Sequence, residues 1–196
     1  MTNKHTPTLR FKDFDDEWEI GIKIAQTIEK QFKGKAKWSD LNKGDVMYLD
    51  ANTLNGEVPY MSDAEWDTNK EDVLIMWDGS NAGKVYTGFE GALGSTLKGY
   101  KIKVQNDSRY IFNYLIKNQQ KIYEHYRTPN IPHVIKNFTD VFNISFPSLP
   151  EQSAIGSLFQ SLDELLAASK DNLANYQAFK ASMLSKMFPK GRADHP

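Results

Sequence analysis

The chain has 196 residues, a formal net charge of −1 and no cysteine. This length accommodates one domain of about 150 residues with its own core, plus one further element. The lack of cysteine excludes disulfides, thiolate metal sites and a cysteine nucleophile, and is typical of a reducing cytoplasm. No apolar run approaches the roughly 20 residues that span a bilayer, and no apolar segment follows residues 1–5, so we predict neither a membrane anchor nor a secretory signal.

The first part of the chain is predicted to be a leader followed by short strands. In the leader, residues 1–20, we expect Leu9, Phe11, Phe14 and Trp18 to pack on the edge of the domain. β-branched and aromatic residues between glycine- and asparagine-rich turns predict strands over residues 45–49, 73–77, 84–87, 96–104 and 141–146.

One amphipathic helix interrupts these strands. Asp107 or Ser108 caps its start, and it runs to about Tyr126 with apolar residues at helical spacing, among them Ile111 and Leu115. The pattern predicts an α+β fold: a β-rich domain with a packed helix, followed by one long helix.

The charges are segregated along the chain. Acidic residues cluster over 13–19 and 57–72, whereas a run of lysines interleaved with Phe32 and Trp38 occupies 30–43, and a second basic region covers 98–136. One interpretation is a solvated surface of mixed charge. The other is a basic face for a phosphate backbone, with the acidic faces turned away from it or toward a protein partner.

The carboxy-terminal stretch predicts one helix of about 37 residues, or about 55 Å, from Pro150 to near Pro189. Lys186, Pro189 and Gly191 mark its end. With Ile155 as heptad position a, two apolar blocks flank a polar centre at Ser169 and Asn172, which predicts a coiled-coil-like seam with a fixed register. The residues predicted to form this dimerisation seam are Ile155, Leu158, Leu162, Leu165, Tyr176, Phe179 and Met183.

Catalytic and metal sites are not indicated. The glycines between 79 and 94 lack the spacing of Walker and dinucleotide-binding motifs. Residues 63–74 lack the glycine and the final acidic residue of a calcium-binding loop. The four histidines are not spaced as pairs of metal ligands. Neither a nuclease carboxylate–lysine site nor an adenine methyltransferase motif is recognisable. We therefore predict a non-catalytic chain that binds no metal or cofactor of its own.

Three stretches carry a family resemblance. They are residues 8–18 (TLRFKDFDDEW), residues 73–85 (VLIMWDGSNAGKV) and residues 146–152 (FPSLPEQ), and the last stretch leads into a long helix that ends MLSKMF. All three resemble the specificity subunits of Type I restriction–modification systems. The three stretches are similar to the leader, the target recognition domain and the conserved spacer of these subunits. On this basis we expect a target recognition domain at 1–148, a spacer and dimerisation helix at 149–190 and a tail at 191–196.

The resemblance implies a function and partners. Family members usually carry two recognition domains and two antiparallel spacer helices, and this chain shows one of each, so an identical chain is expected to cover the helix by a twofold contact. The expected partners are double-stranded DNA, methyltransferase subunits that hold S-adenosylmethionine and methylate adenine N6, and a restriction–translocation subunit for cleavage. The alternatives are a stand-alone dimeric DNA-binding regulator, or a gene fragment that is inert or pairs with another half.

The resemblance also suggests where DNA would lie, in the loop between the helix and the last strand. The residues predicted to bind DNA are Lys33, Lys35 and Lys37 for the backbone, Ser80, Asn81 and Lys84 in the glycine-rich turn, and Arg127, Thr128, Asn130 and His133 in that loop. Each has an alternative interpretation: plain solvation for the lysines, turn formation for residues 80–84, and a helix-end cation for Arg127.

Overall fold

The computed structural model describes residues 7–188. The chain divides into two units, one up to Gly156 and one from Ser157 onward. The predicted tail 191–196 and the helix-end signals at Pro189 and Gly191 lie outside the described residues, as does the amino-terminal segment 1–5.

Short strands and helices alternate in the first unit, so the predicted α+β class is confirmed. Its helices are α1 (Ala51–Leu54), α2 (Ser108–Lys117), α3 (Gln119–His125) and α4 (Phe138–Val141). Its strands are β1 (Glu19–Lys23), β2 (Ile28–Lys33), β3 (Lys43–Leu49), β4 (Met61–Ser62), β5 (Val73–Met76), β6 (Val85–Tyr86), β7 (Ala92–Leu93), β8 (Leu97–Ile102) and β9 (Asn143–Phe146).

The strands form three sheets. The largest is antiparallel with the order β2-β8-β5-β6; a second has the order β4-β3-β7, in which β3 and β7 are parallel; and β1 pairs with β9. All four residues of β5 are buried, which explains its continuous apolar sequence. Successive strand side chains point to opposite faces. Ile75 accordingly belongs to the main core with α2 and α4, and Leu74 to a smaller core with β3 and β7.

The predicted helix over 107–126 is present as two helices. Asp107 caps α2, because its carboxylate accepts a hydrogen bond from the Tyr110 N–H at 2.9 Å. Asn118 separates α2 from α3, and its side-chain amide donates to the Tyr114 carbonyl at 2.8 Å. Ile111 and Leu115 are fully buried as predicted.

The leader packs only in part as expected. Trp18 lies against the main core, with its ring centroid 6.2 Å from that of Tyr110. Leu9 is 91% exposed, so the prediction that it packs on the domain edge is wrong. The local pattern could not reveal this, because an apolar residue in an irregular segment has no periodicity to fix its direction.

A helix of 39 residues, α5 (Leu149–Met187), follows β9 and has Pro150 in its first turn as predicted. Its first residues belong to the first unit, where Gln152 accepts from the Asp107 N–H at 3.0 Å and donates to the Pro147 carbonyl at 3.0 Å. Ser153 donates to the Asp107 carboxylate at 3.1 Å. A Cβ at Gly156 would lie 2.6 Å from that same carboxylate, so a larger residue there would have to displace the side chain that caps α2.

The second unit is the remainder of α5. Its described residues, Ser157 to Phe188, are exposed except for Ser182, which is half-buried. Among the described helices, none combines the length and apolarity needed to cross a membrane.

Candidate nucleic-acid interface

Two of the predicted DNA-binding segments meet in the first unit. We call them turn 78–83, between β5 and β6, and loop 127–133, between α3 and α4. The Gly79 N–H donates to the Pro132 carbonyl at 2.9 Å, the Val134 N–H donates to the Trp77 carbonyl at 2.9 Å, and Asp78 forms a β-bridge with His133. Ser80 and Asn81 therefore lie on the same surface as Thr128 and His133, although the two segments are far apart in sequence.

Turn 78–83 owes its shape to two glycines. Gly79 and Gly83 have φ values of +94° and +91°, in the left-handed region that other residues rarely adopt. The Gly83 N–H donates back to the Met76 carbonyl at 2.7 Å, which closes the turn. The glycines of this segment thus have a structural reason, as the sequence predicted.

Arg127 connects the loop to the turn. Its guanidinium donates to the carbonyls of Ser80 at 3.3 Å and Ala82 at 3.2 Å, and its central carbon lies 4.8 Å from the centroid of the Tyr123 ring. These contacts give the side chain a role in holding the turn. They leave the prediction of a DNA contact by Arg127 open.

Loop 127–133 has its own internal bonds. The Thr128 N–H donates to the His133 carbonyl at 3.0 Å, and the Thr128 hydroxyl lies 2.9 Å from His133 Nδ1. Asn130 is exposed at the tip of the loop. Hydrogen bonds between Thr128 and His133 therefore join the two ends of the loop, and Asn130 is exposed between them.

Lysines from two strands reach the same surface. Lys33 of β2 and Lys98 of β8 face each other across the strand pair. Lys33 Nζ lies 3.6 Å from the Asp78 carboxylate, and Lys98 Nζ lies 3.3 Å from the centroid of the Trp77 ring. Burial lowers the pKa of Lys98, and the charge of Lys33 lowers it further.

Lys35 and Lys37 follow β2 and are exposed. Between them the Ala36 N–H donates to the Leu93 carbonyl at 3.2 Å, which fixes the main chain beside β7. Lys84 differs from the other predicted residues, because its ammonium contacts the Asn55 side chain and lies 5.3 Å from the centroid of the Tyr86 ring. It is thereby directed toward the loop after α1.

Two members of this surface were not predicted as site residues, namely Asp78 and Lys98. Lys98 belongs to the second basic region of the sequence, but its position opposite Lys33 depends on the pairing register of β2 and β8. Asp78 lies in a turn whose glycines stand out in the sequence more than its single charge does. A charge inside a turn flanked by buried strands is the signal that could have indicated it.

The predicted dimerisation seam lies on α5. Ile155 is half-buried against the main core of the first unit, whereas the other predicted seam residues are exposed. The same heptad shows a further row that the prediction missed, at position e, where Phe159, Leu166, Leu173 and Met187 are exposed and apolar and Lys180 interrupts the row. We call the exposed apolar residues of rows a, d and e the apolar stripe of α5.

A metal site is not formed by the part of the chain that the structure describes: no group of three or more histidine or carboxylate side chains there could hold an ion. The surface built by turn 78–83 and loop 127–133 instead combines backbone-fixed turns with ammonium and guanidinium groups. Such an arrangement suits contact with phosphates and base edges.

A curated relative matches most of the chain. The chain is 29% identical over 199 residues to the Type I restriction enzyme MjaVIII specificity subunit of Methanocaldococcus jannaschii, an alignment that covers 92% of this chain and 44% of that protein. The chain thus spans about half the length of this curated relative.

Solved structures share the fold. The S subunit of a Type I restriction–modification system from M. genitalium superposes with a TM-score of 0.68 at 18% identity, over 88% of this chain and 46% of that one. The HsdS subunit from Thermoanaerobacter tengcongensis superposes with a TM-score of 0.59 at 16% identity, over 98% and 48%. Residues 16–175 match the family described as the Type I restriction modification DNA specificity domain, and the chain belongs to that family.

Proposed function

We propose that this chain is a sequence-recognition subunit of a Type I restriction–modification complex and has no catalytic activity of its own. Its first unit binds double-stranded DNA in the cytoplasm through turn 78–83, loop 127–133 and the neighbouring lysines. The support is the family membership of residues 16–175 together with the convergence of Lys33, Lys98 and Arg127 on one surface. Lysines and arginine supply phosphate contacts, and side chains of the two loops reach the base edges.

The second unit pairs with a second copy of itself. The observation that carries this proposal is the apolar stripe of α5, which is exposed over most of its length and interrupted by Ser169 and Asn172. A buried polar pair fixes the register of helices that pack through such a stripe. A twofold axis perpendicular to the helices makes the same stripe meet itself with the two helices antiparallel. Two identical recognition domains then read a symmetric target split by a spacer.

The chemistry belongs to the partners. Methyltransferase subunits hold S-adenosylmethionine and methylate adenine N6 at the positions that this subunit selects. A restriction–translocation subunit joins for cleavage.

The test is a map of N6-methyladenine in cells that express this chain with the methyltransferase subunit encoded beside it. We expect a split, symmetric motif that disappears when the chain is omitted. A matched culture expresses the chain with Leu162→Asp and Leu165→Asp, which introduces charges into the stripe without touching the first unit. It should lose the motif as well.

Other results point to the alternatives. An asymmetric motif would mean that the chain works with a different half. If no motif appears, while the purified chain alone selects a DNA sequence tightly, it is a dimeric regulator. If neither occurs, it is an inert fragment.

A further inference from the structure

A cluster of two cations and one carboxylate lies where β2, β8 and the end of β5 meet. Lys33 and Lys98 occupy directly opposite positions on neighbouring antiparallel strands, an arrangement in which like charges repel. Asp78 lies 3.6 Å from Lys33 Nζ and offsets this repulsion. Burial and the charge of Lys33 lower the pKa of Lys98, and the charge of Asp78 partly opposes this lowering.

The main chain of Asp78 is fixed, whereas its carboxylate is accessible. The Asp78 N–H donates to the Thr96 carbonyl at 3.1 Å, and the next residue, Gly79, is bonded to Pro132 at 2.9 Å. The Asp78 side chain is 42% exposed and that of Lys33 is 55% exposed. The carboxylate thus projects from a backbone that two other segments hold in place.

A carboxylate on a surface that binds DNA repels phosphates, so it weakens binding unless it contacts something else. An ionised carboxylate can only accept hydrogen bonds. In the major groove the groups that donate are the amino groups of cytosine N4 and adenine N6, whereas guanine and thymine present acceptors at these places. Asp78 can therefore distinguish bases that carry an exocyclic amino group from those that do not.

We propose that Asp78 is a specificity-determining residue that accepts a hydrogen bond from the exocyclic amino group of a cytosine or adenine in the target. The inference rests on the proposed function and adds to it the residue and the base chemistry of one position. Lys33 positions the carboxylate and Lys98 balances its charge. Both lysines also favour the approach of the phosphate backbone on either side of the base that is read.

The experiment compares N6-methyladenine maps for the wild-type chain, Asp78→Ala and Asp78→Asn, each expressed with the methyltransferase subunit. Glu90→Ala is the matched control, because Glu90 is a 40% exposed carboxylate in an ion pair with Lys70 at 3.0 Å, outside this surface. Thermal unfolding of each purified variant checks that it is folded.

For the wild type we expect the position that Asp78 reads to be specified in each half, with the cytosine or adenine on the strand that Asp78 contacts. Asp78→Ala should relax that position to all four bases, with discrimination reduced on the order of tenfold. Asp78→Asn should shift the same position toward adenine, to which an asparagine amide can bond in two places. Glu90→Ala should leave the motif unchanged.

The outcomes separate the inference from the function on which it rests. If the wild type yields a motif and both folded Asp78 variants yield the same one, the inference is overturned and the proposed function stands. A folded Asp78→Ala chain that loses methylation at every site alike would also overturn it, because the residue would then act on binding as a whole. A wild type without any motif would overturn both.

Discussion

Arg10 and Glu151 are 141 residues apart in sequence and are joined by two hydrogen bonds, from Arg10 Nε at 2.8 Å and Nη2 at 2.7 Å. The Trp18 indole N–H donates to the same carboxylate at 3.2 Å. The Glu151 side chain is 1% exposed, so all three donors serve a buried acceptor in the first turn of α5. The start of the described chain is thereby attached to the start of the long helix.

Glu151→Ala should lower the thermal midpoint of unfolding, because it leaves the Arg10 and Trp18 donors without their acceptor in a buried site. Asp163→Ala, at an exposed position of the same helix, is the control and should leave the midpoint nearly unchanged. Combining Glu151→Ala with Arg10→Ala should add little further loss, since both remove the same pair. Strictly additive losses would contradict this account.

Arg127→Ala should destabilise turn 78–83. The two hydrogen bonds from the guanidinium to the Ser80 and Ala82 carbonyls would be lost, at a cost of about 1.5 kcal/mol in the free energy of unfolding. Amide hydrogen exchange should become faster at Ala82 and Gly83 in particular. Arg109→Ala removes an exposed arginine from α2 and should leave these amides unaffected. Unchanged exchange in Arg127→Ala would show that the turn holds without the guanidinium.

Asp72 should make the stability of the first unit depend on pH. Burial raises the pKa of its carboxyl above the ordinary value, although the Asn69 N–H, which donates to it at 2.9 Å, opposes the shift. The folded chain therefore holds this proton more tightly than the unfolded chain does. As pH rises from the unfolded carboxyl pKa through the folded one, the unfolded state releases its proton first and stability falls.

Asp72→Asn removes this ionisation and can keep the bond from the Asn69 N–H. It should be more stable than the wild type at neutral pH, and the difference should shrink as pH is lowered through the carboxyl range. Urea unfolding at several pH values measures it. A difference that stays constant with pH would mean that Asp72 does not titrate as described.

The apolar stripe of α5 should govern self-association. Full burial of a leucine is worth about 1.5–3 kcal/mol, and Leu162→Asp with Leu165→Asp replaces two of them in each copy. Sedimentation should therefore show a dimer for the wild type and a monomer for this variant. Gln160→Asp with Ser161→Asp adds the same charge beside the stripe and should remain dimeric. A dimer that survives the leucine replacements would place the contact elsewhere.

The elements with strong local patterns were predictable from sequence. The continuous apolar run of β5, the Asp107 cap and the long α5 each follow from residues that are neighbours in the chain. β2 was missed because Ile28–Lys33 is an edge strand of the four-stranded sheet, rich in charged residues, with a pattern that makes sense only beside β8. The burial of Glu151 was missed for a similar reason, since its partner Arg10 is far away in sequence.

The segments that form the candidate site could be predicted from the sequence, but the way in which they pack against one another could not. The resemblance placed turn 78–83 and loop 127–133 on the recognition domain, and the structure brings them into contact. The position of Lys98 opposite Lys33 depends on strand register, which no local pattern specifies. The apolar residues at heptad position e of α5 could have been predicted from the sequence, because the same heptad count identifies Leu166 and Leu173.

Turn 78–83 is held by main-chain hydrogen bonds to Met76, Thr96 and Pro132 and by the Arg127 guanidinium. The side chains at positions 78, 80 and 81 take no part in those bonds. Point substitutions at these three positions should leave the turn folded, because its hydrogen bonds do not depend on the side chains that it displays. Turn 78–83 is therefore a fixed frame, and the side chains that it displays can be exchanged without changing its shape.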